Sequence, residues 1–255
     1  TDFSITTGYK SSADQDKKNI NHFFLNYKRD LGLLNYVNSN LEANLQRVNN
    51  DTYLKVFQNN LFPSPVMPTN KNLMNTKLNY VFDHKDYDLS TGLQIYETLG
   101  TKHSDRYQYV LPYYNFSRGL NIENLSGSIN FSSSGSNNLK DTNNLRSLIT
   151  NDIAYNSLDY YTNIGVRNNY NLYFKNLNSA GKNDTTYKST PRVEGMGMFE
   201  INSSFPLIKE NDFTKEILTP KISLRASPIN NMKNHSSSSK LINANNVFAI
   251  NRLGL

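Results

Sequence analysis

Strict alternation of apolar and polar residues over long runs is the sequence feature that most constrains how this chain can fold. Between residues 74 and 82, alternate positions hold Met, Thr, Leu, Tyr and Phe, and Asn75, Lys77 and Asn79 stand between them. Because successive side chains of a strand point to opposite faces, this period predicts a β-strand with one apolar face. Soluble strands usually have about 5–6 residues, and bilayer-crossing strands about 9–11. Runs of this length therefore favour strands that cross a membrane.

The alternation recurs along the whole chain and predicts roughly ten to twelve strands. The predicted strand segments are 3–9, 23–27, 41–45, 74–82, 87–95, 106–117, 125–133, 145–157, 161–177, 193–207, 218–227 and 247–253. One helical segment is predicted at residues 50–62, with Tyr53, Val56, Phe57 and Asn60 on one side. Helices do not alternate with the strands, which argues against an α/β fold.

The predicted connections are of two kinds. "DHKD" at residues 83–86 is a short turn, whereas residues 11–19, 132–144, 178–190 and 229–240 are longer and rich in Ser, Asn, Gly and Lys. Tight turns at one rim and long loops at the other are typical of up-and-down transmembrane barrels, although the alternation here is imperfect.

Composition agrees better with a barrel than with a soluble domain. Apolar residues make up 37 % of the chain, against about 45–50 % in soluble proteins. A barrel strand needs apolar residues on one face only, and 17 Tyr and 13 Phe within the alternating runs argue against disorder. The net charge of +6 is scattered, so no nucleic-acid partner is predicted. A soluble β-sandwich or solenoid remains the alternative.

No group of residues has the spacing of a catalytic or metal site. The four histidines are far apart and are predicted to lie on the surface, cysteine is absent, and no acid–base pair or nucleophile elbow is present. The glycines of "EGMGMFE" at residues 194–200 indicate close packing or a bent strand. We therefore expect no enzymatic activity, no metal and no cofactor.

Five segments in order resemble a known family. They are "NDTYLK" (50–55), "SDRYQYVLPYYNFSR" (104–118), "SFPLIK" (204–209), "LTPKISLRASP" (218–228) and "NNVFAINRLG" (245–254). With these segments the chain resembles the barrel portion of the LptD family, the lipopolysaccharide (LPS) assembly proteins (OstA or Imp) of Gram-negative outer membranes, in the alphaproteobacterial version.

The resemblance implies an all-β, antiparallel transmembrane barrel in the cell outer membrane. Residues 1–255 would be a partial barrel domain, with the N-terminal jelly-roll domain and the remaining strands absent from this stretch. The implied function is transport of LPS into the outer leaflet. The implied partners are LPS, an LptE-type lipoprotein plug, a periplasmic LptA-type jelly-roll bridge and outer-membrane lipid. The cysteines that tie barrel to jelly roll in relatives are missing, and no gate residue can be carried over.

In such a barrel, the alternation of polar and apolar residues predicts which side chains face the lumen and which face lipid. The predicted lumen-facing residues are Asn75, Lys77, Asn79, Lys221, Ser223 and Arg225, whose polar groups suit a hydrated, anionic glycolipid. The predicted lipid-facing residues are Leu78, Tyr80, Leu93, Ile222 and Leu224. A general porin or TonB-type receptor barrel and a soluble β-rich surface or adhesin protein remain alternative functions.

Overall fold

Antiparallel strands dominate the computed structural model, which describes residues 2–12, 15–57, 59, 61, 64–121, 126–211 and 213–230. The strands are β1 (Asp2–Ser12), β2 (Gln15–Asp30), β3 (Tyr36–Val48), β4 (Leu73–His84), β5 (Tyr87–Thr98), β6 (Tyr107–Asn121), β7 (Gly127–Lys140), β8 (Asn144–Ser157), β9 (Tyr160–Tyr161), β10 (Arg167–Lys182), β11 (Arg192–Ser204), β12 (Leu207–Glu210), β13 (Lys215–Leu218) and β14 (Lys221–Asn230). Two single-turn helices are α1 (Tyr53–Val56) and α2 (His103–Arg106).

The order of the strands in the main sheet largely follows their order in the sequence. Strands β1 to β8 are neighbours in sequence order, followed by β10, β11 and β14, with β9 paired to β10 and β12 paired to β13 in a separate hairpin. The β1–β2, β2–β3, β3–β4, β4–β5, β10–β11 and β11–β14 pairs are antiparallel. The predicted all-β fold with a large antiparallel sheet is therefore confirmed, and most of the strands are long.

The chain folds into two compact units. The first comprises Thr1–Phe116, Ser134–Leu148 and Ala180–Thr190, and the second comprises Ser117–Ser133, Ile149–Ser179 and Pro191–Leu255.

The first unit has an apolar core where the β3–β4 connection covers one end of β2 and β3. The core residues are Ile20, Phe24, Val48, Tyr53, Leu54, Val66, Met74 and Leu99. His22 lies within this region, 3 % exposed, stacked on Phe24 with ring centroids 4.5 Å apart and with its Nδ1 3.1 Å from Tyr53 OH. The surface prediction for His22 is wrong, because the connection folds back over an otherwise polar face.

In the second unit, the polar side of β10 and β11 also contains buried apolar groups. Leu177, Met196 and Met198 are buried there between polar neighbours. The pairing of β11 with β14 shifts register between Gly197 and Phe199, which agrees with the predicted bend in "EGMGMFE". Close packing does not explain Gly195, since a Cβ there would have no contact nearer than 3.7 Å.

Several predicted loops are strands. Residues 11–19 lie mostly in β1 and β2, and residues 132–144 lie mostly in β7, which continues to Lys140. The 178–190 loop is shorter than predicted, because β10 continues to Lys182. Serine and asparagine backbones continue the hydrogen-bonded ladder, so polarity alone does not end a strand. The 85–86 turn joins β4 and β5 as expected, with His84 paired to Tyr87.

Other predicted elements are shorter than expected. The 161–177 segment breaks after Tyr161, where Thr162 N donates to Val166 O and Gly165 has a φ of 84°. The helix at 50–62 is reduced to α1, whose buried side chains are Tyr53 and Leu54, while Val56 is exposed. The 247–253 strand and most of the 229–240 loop lie outside the described residues.

The connection from β11 to β14 contains a separate two-stranded hairpin, β12–β13, with exposed apolar residues. Leu207 pairs with Leu218 and Ile208 with Ile217, and all four are exposed, as is Phe213 near the tip. The predicted 193–207 strand stops at Ser204, and β14 begins after Pro220.

No helix among the described residues is both long enough and apolar enough to span a bilayer.

Candidate functional site

The polar side of β4 and β5 in the first unit is a hydrogen-bonded array around Asn79. This side chain is 3 % exposed, and its Oδ1 accepts hydrogen bonds from Ser90 Oγ at 3.1 Å and from Tyr113 OH at 2.9 Å. Its partner across the ladder is Gly92, where a Cβ would overlap Leu78 O and lie 2.9 Å from Tyr113 OH. The glycine makes room for the tyrosine, whose hydroxyl then reaches Asn79.

Asn75 and Lys77 stand on the same side of β4 as Asn79. Gln94 Nε2 donates to Asn75 Oδ1 at 2.9 Å, and Lys77 lies opposite Asn44 on β3 and Gln94 on β5. Both Asn75 and Lys77 are partly exposed. The structure thus brings the three predicted residues of β4 to one face made mostly of neutral amide and hydroxyl groups.

The polar side of β11 and β14 in the second unit centres on Glu200. Its carboxylate is 6 % exposed, accepts from Asn171 Nδ2 at 3.2 Å and Asn202 Nδ2 at 2.8 Å, and forms an ion pair with Arg225 Nε. Ser223 Oγ donates to Asn202 Oδ1 at 2.5 Å. Two predicted lumen residues of β14 therefore belong to one network with an acid that neutralises the arginine.

Two other cations of this face differ in their surroundings. Lys175 Nζ lies 3.0 Å from Asp152 Oδ1 and is mostly buried, whereas Lys221, the third predicted lumen residue of β14, is exposed opposite Ser204. On β14, residues 221–224 are exposed on both sides of the strand, whereas Arg225 is partly buried. Burial therefore separates the two sides on β4 but not on β14.

The middle of the opposite side of β4 and β5 is apolar and exposed. Leu78, Tyr80 and Leu93 are 37 %, 36 % and 43 % exposed, although Asn79 between them is buried. Leu78 lies directly opposite Leu93 on β5 and Ala43 on β3. This is the reverse of a soluble sheet, in which the apolar side is the buried one.

The second unit repeats this pattern on β10, β11 and β14. Leu224 lies opposite Ile201, and Ile222 opposite Ser203. The exposed apolar side chains of this side include Tyr170, Leu172, Phe174, Val193, Ile201, Ile222 and Leu224. All five predicted lipid-facing residues thus stand on exposed apolar surface, and their contact with lipid stays a prediction.

Aromatic rings bound the apolar side of the first unit at one end. His84 and Tyr87 stack near the β4–β5 turn. Tyr36 meets His84 edge-on, and its OH is 2.7 Å from Tyr87 OH. At the other end stands the buried carboxylate of Glu97. The ten residue steps from Tyr87 to Glu97 span about 33 Å along the strand. In a barrel with a strand tilt of about 40°, this length would correspond to a height of about 25 Å, that of a transmembrane apolar band.

Amides interrupt the apolar side of the second unit. Asn151 stands at an alternate position between the exposed Ile149 and Ile153, donates to Asn176 Oδ1 at 3.1 Å and accepts from Ser133 Oγ at 2.7 Å. Asn178 Nδ2 also donates to Asn176 Oδ1, at 2.7 Å. These groups are neutral and bonded to one another, which lowers the cost of placing them in an apolar medium.

Sequence reasoning missed the acids and tyrosines of the polar side. Periodicity places Glu200, Asp152 and Tyr113 on the polar side of their strands. It does not indicate which residues they bind. A signal for Glu200 exists in its position between Phe199 and Ile201, which marks it as polar-side. Its pairing with Arg225 requires the register of β11 against β14.

No group of three or more His, Asp or Glu side chains in the described part of the chain is arranged to hold a metal ion. No protein-family model matches the sequence, and a search of curated proteins finds no significant match.

Proposed function

We propose that the chain is part of an outer-membrane β-barrel that transports LPS and inserts it into the outer leaflet. The observation that carries the membrane placement is the inverted burial of β4 and β5, where Asn79 is buried and Leu78, Tyr80 and Leu93 are exposed. Exposed apolar surface of this kind marks contact with a membrane or with another protein, and the length of the strands favours the membrane. LPS as the cargo is supported by the ordered resemblance to the LptD family.

The polar side suits a hydrated glycolipid, and no catalysis is proposed. Arg225 is neutralised by Glu200 and Lys175 by Asp152, and the groups around them are amides and hydroxyls. Such a surface offers many weak hydrogen bonds to sugars and few strong charge pairs to phosphates. A cargo that must move along the surface is better served by weak contacts than by tight ones.

The partners in this proposal are an LptE-type lipoprotein inside the barrel and an LptA-type jelly-roll bridge in the periplasm. The family resemblance alone supports them. A general porin or TonB-type receptor would need neither, and a soluble adhesin would need no detergent.

Affinity purification of the full-length protein from its native membrane tests the function. We expect the protein to require detergent and to retain a small lipoprotein and LPS. When the protein is depleted from cells, newly made LPS should not reach the surface, where it could be labelled. A photo-crosslinking residue at Ser223 should capture LPS during transport, and one at Phe213 in the exposed hairpin serves as the control. Normal surface LPS after depletion, with impaired uptake of small solutes, would identify a porin or receptor instead.

A further inference from the structure

A cleft of about 610 Å³ opens on the apolar side of the first unit. Phe23, Leu45, Thr76 and Ile95, which stand on that side of β2 to β5, form its wall, together with Tyr107 and other residues. The exposed Leu93 stands two residues from Ile95 on the same side of β5. A long hydrocarbon chain is the kind of ligand that such a wall accepts.

A fixed ionic cluster closes one end of this cleft. Arg106 donates from Nη2 to Asp51 Oδ1 and from Nε to Glu97 Oε1, each at 2.7 Å, and Tyr107 OH donates to Glu97 Oε1 at 3.0 Å. Gly100 N also donates to Asp51. Hydrogen bonds from Arg106 lower the pKa of Asp51, which stays ionised at neutral pH.

Arg47 lies at the exposed edge of this cluster and forms a long ion pair with Glu97. It follows Leu45 on the same side of β3, its side chain is 69 % exposed, and its Nη1 is 3.9 Å from Glu97 Oε2. That distance is too long for a hydrogen bond. This long ion pair engages one corner of the guanidinium, and the exposed remainder of its fork of donors can reach an anion at the mouth of the cleft.

We propose that this cleft binds one phospholipid, whose acyl chain lies against Phe23, Leu45 and Ile95 and whose phosphate accepts hydrogen bonds from Arg47. The guanidinium fork matches phosphate oxygens geometrically. Arg47 and the ionic cluster stand at the end of the apolar side, where the headgroups of a bilayer meet a barrel. The inference rests on the membrane placement within the proposed function and does not depend on LPS as the cargo.

Native mass spectrometry of the full-length protein in detergent tests the site. The probes are phosphatidylglycerol, diacylglycerol with the same acyl chains, and inorganic phosphate. We expect retention of phosphatidylglycerol but of neither other probe. Arg47→Gln should weaken that retention about tenfold, the loss of one charge-assisted hydrogen-bond pair, and Arg47→Lys should weaken it less.

Arg29→Gln is the matched control, because Arg29 is an exposed arginine on the same side of β2 at the opposite end of the strand. It should retain phosphatidylglycerol like the parent protein. Equal retention of diacylglycerol, equal binding of inorganic phosphate, or equal losses in Arg47→Gln and Arg29→Gln would each overturn the proposal. The LPS function is judged separately by surface labelling, so the two can fail independently.

Discussion

At the scale of single residues, the tightest constraint is the close approach of a tyrosine to a glycine on the neighbouring strand. Tyr113 lies over Gly92. Tyr114 lies over Gly135 in the first unit, and Tyr155 over Gly127 in the second, each with a ring carbon in the space that a Cβ would need. A ring that covers a glycine fills the gap left in the pleat. These pairs fix the relative positions of neighbouring strands.

Gly92→Ala should therefore destabilise the protein by about 1–3 kcal/mol, the usual cost of overpacking. The new methyl group would meet the carbonyl of Leu78 as well as Tyr113, and backbone cannot move aside. The measurement is the thermal midpoint of the purified full-length protein in detergent. Gly195→Ala is the control, because its methyl group would make only ordinary contacts, and a midpoint as low as that of Gly92→Ala would argue against this explanation.

Asp184 supplies a second residue-scale prediction, in the loop after β10. Arg146 Nε donates to its Oδ2 at 2.8 Å, and the backbone N–H groups of Thr186 and Tyr187 donate to its Oδ1. The hydrogen bond from Arg146, followed by those two N–H groups, lowers the pKa of Asp184 from 3.8 to about 2. A lowered pKa stabilises the folded state above pH 4, and this stabilisation is lost as the pH falls towards 2.

The effect is at most about 2 kcal/mol, and smaller once solvent screening of the partly exposed Arg146 is included. Thermal midpoints of the parent protein and of Asp184→Asn should differ at pH 7 and converge between pH 4 and pH 2. A constant difference across that range would show that the charge of Asp184 contributes nothing.

At the scale of the strand, the two sides make opposite predictions for adjacent residues. Leu93→Arg puts a charge on the apolar side, where the cost at mid-membrane is about 2–4 kcal/mol. Gln94→Arg puts the same charge on the polar side, where water can solvate it. Folded, heat-modifiable protein in the membrane fraction should fall for Leu93→Arg and persist for Gln94→Arg. Similar yields of folded protein for the two variants would contradict the assignment of the apolar and polar sides of β5.

Side assignment is also what sequence reasoning achieves best. Alternation alone places Leu78 and Tyr80 on one side of β4 and Asn79 on the other, and the structure has the same arrangement. Strand ends are less accessible, since Ser132 and Asn138 have loop composition yet continue β7. Ion pairs such as that of Glu200 with Arg225 depend on the register between β11 and β14, and the local sequence does not indicate that register. The surface prediction fails for His22, because Tyr53, which helps to bury it, lies 31 positions away in the chain.

At the scale of the molecule, the chain contains no tryptophan, so one introduced indole reports its own surroundings. We expect Leu78→Trp in lipid vesicles to emit at short wavelength and to be quenched by brominated acyl chains. Lys77→Trp, on the adjacent polar side, should be quenched by aqueous iodide instead. The same quencher acting on both positions would favour a soluble or misfolded sheet over a barrel wall.

The apolar core around α1 has a consequence for the order of folding. All its members lie between Ile20 and Leu99, so the core needs only the early strands β2 to β5 and their connections. Contacts of short sequence separation form faster than the pairing of distant strands, because they close smaller loops. Assembly should therefore begin here, with the later strands adding to a template already in place, and protection from hydrogen exchange should appear first in β2, β3 and α1.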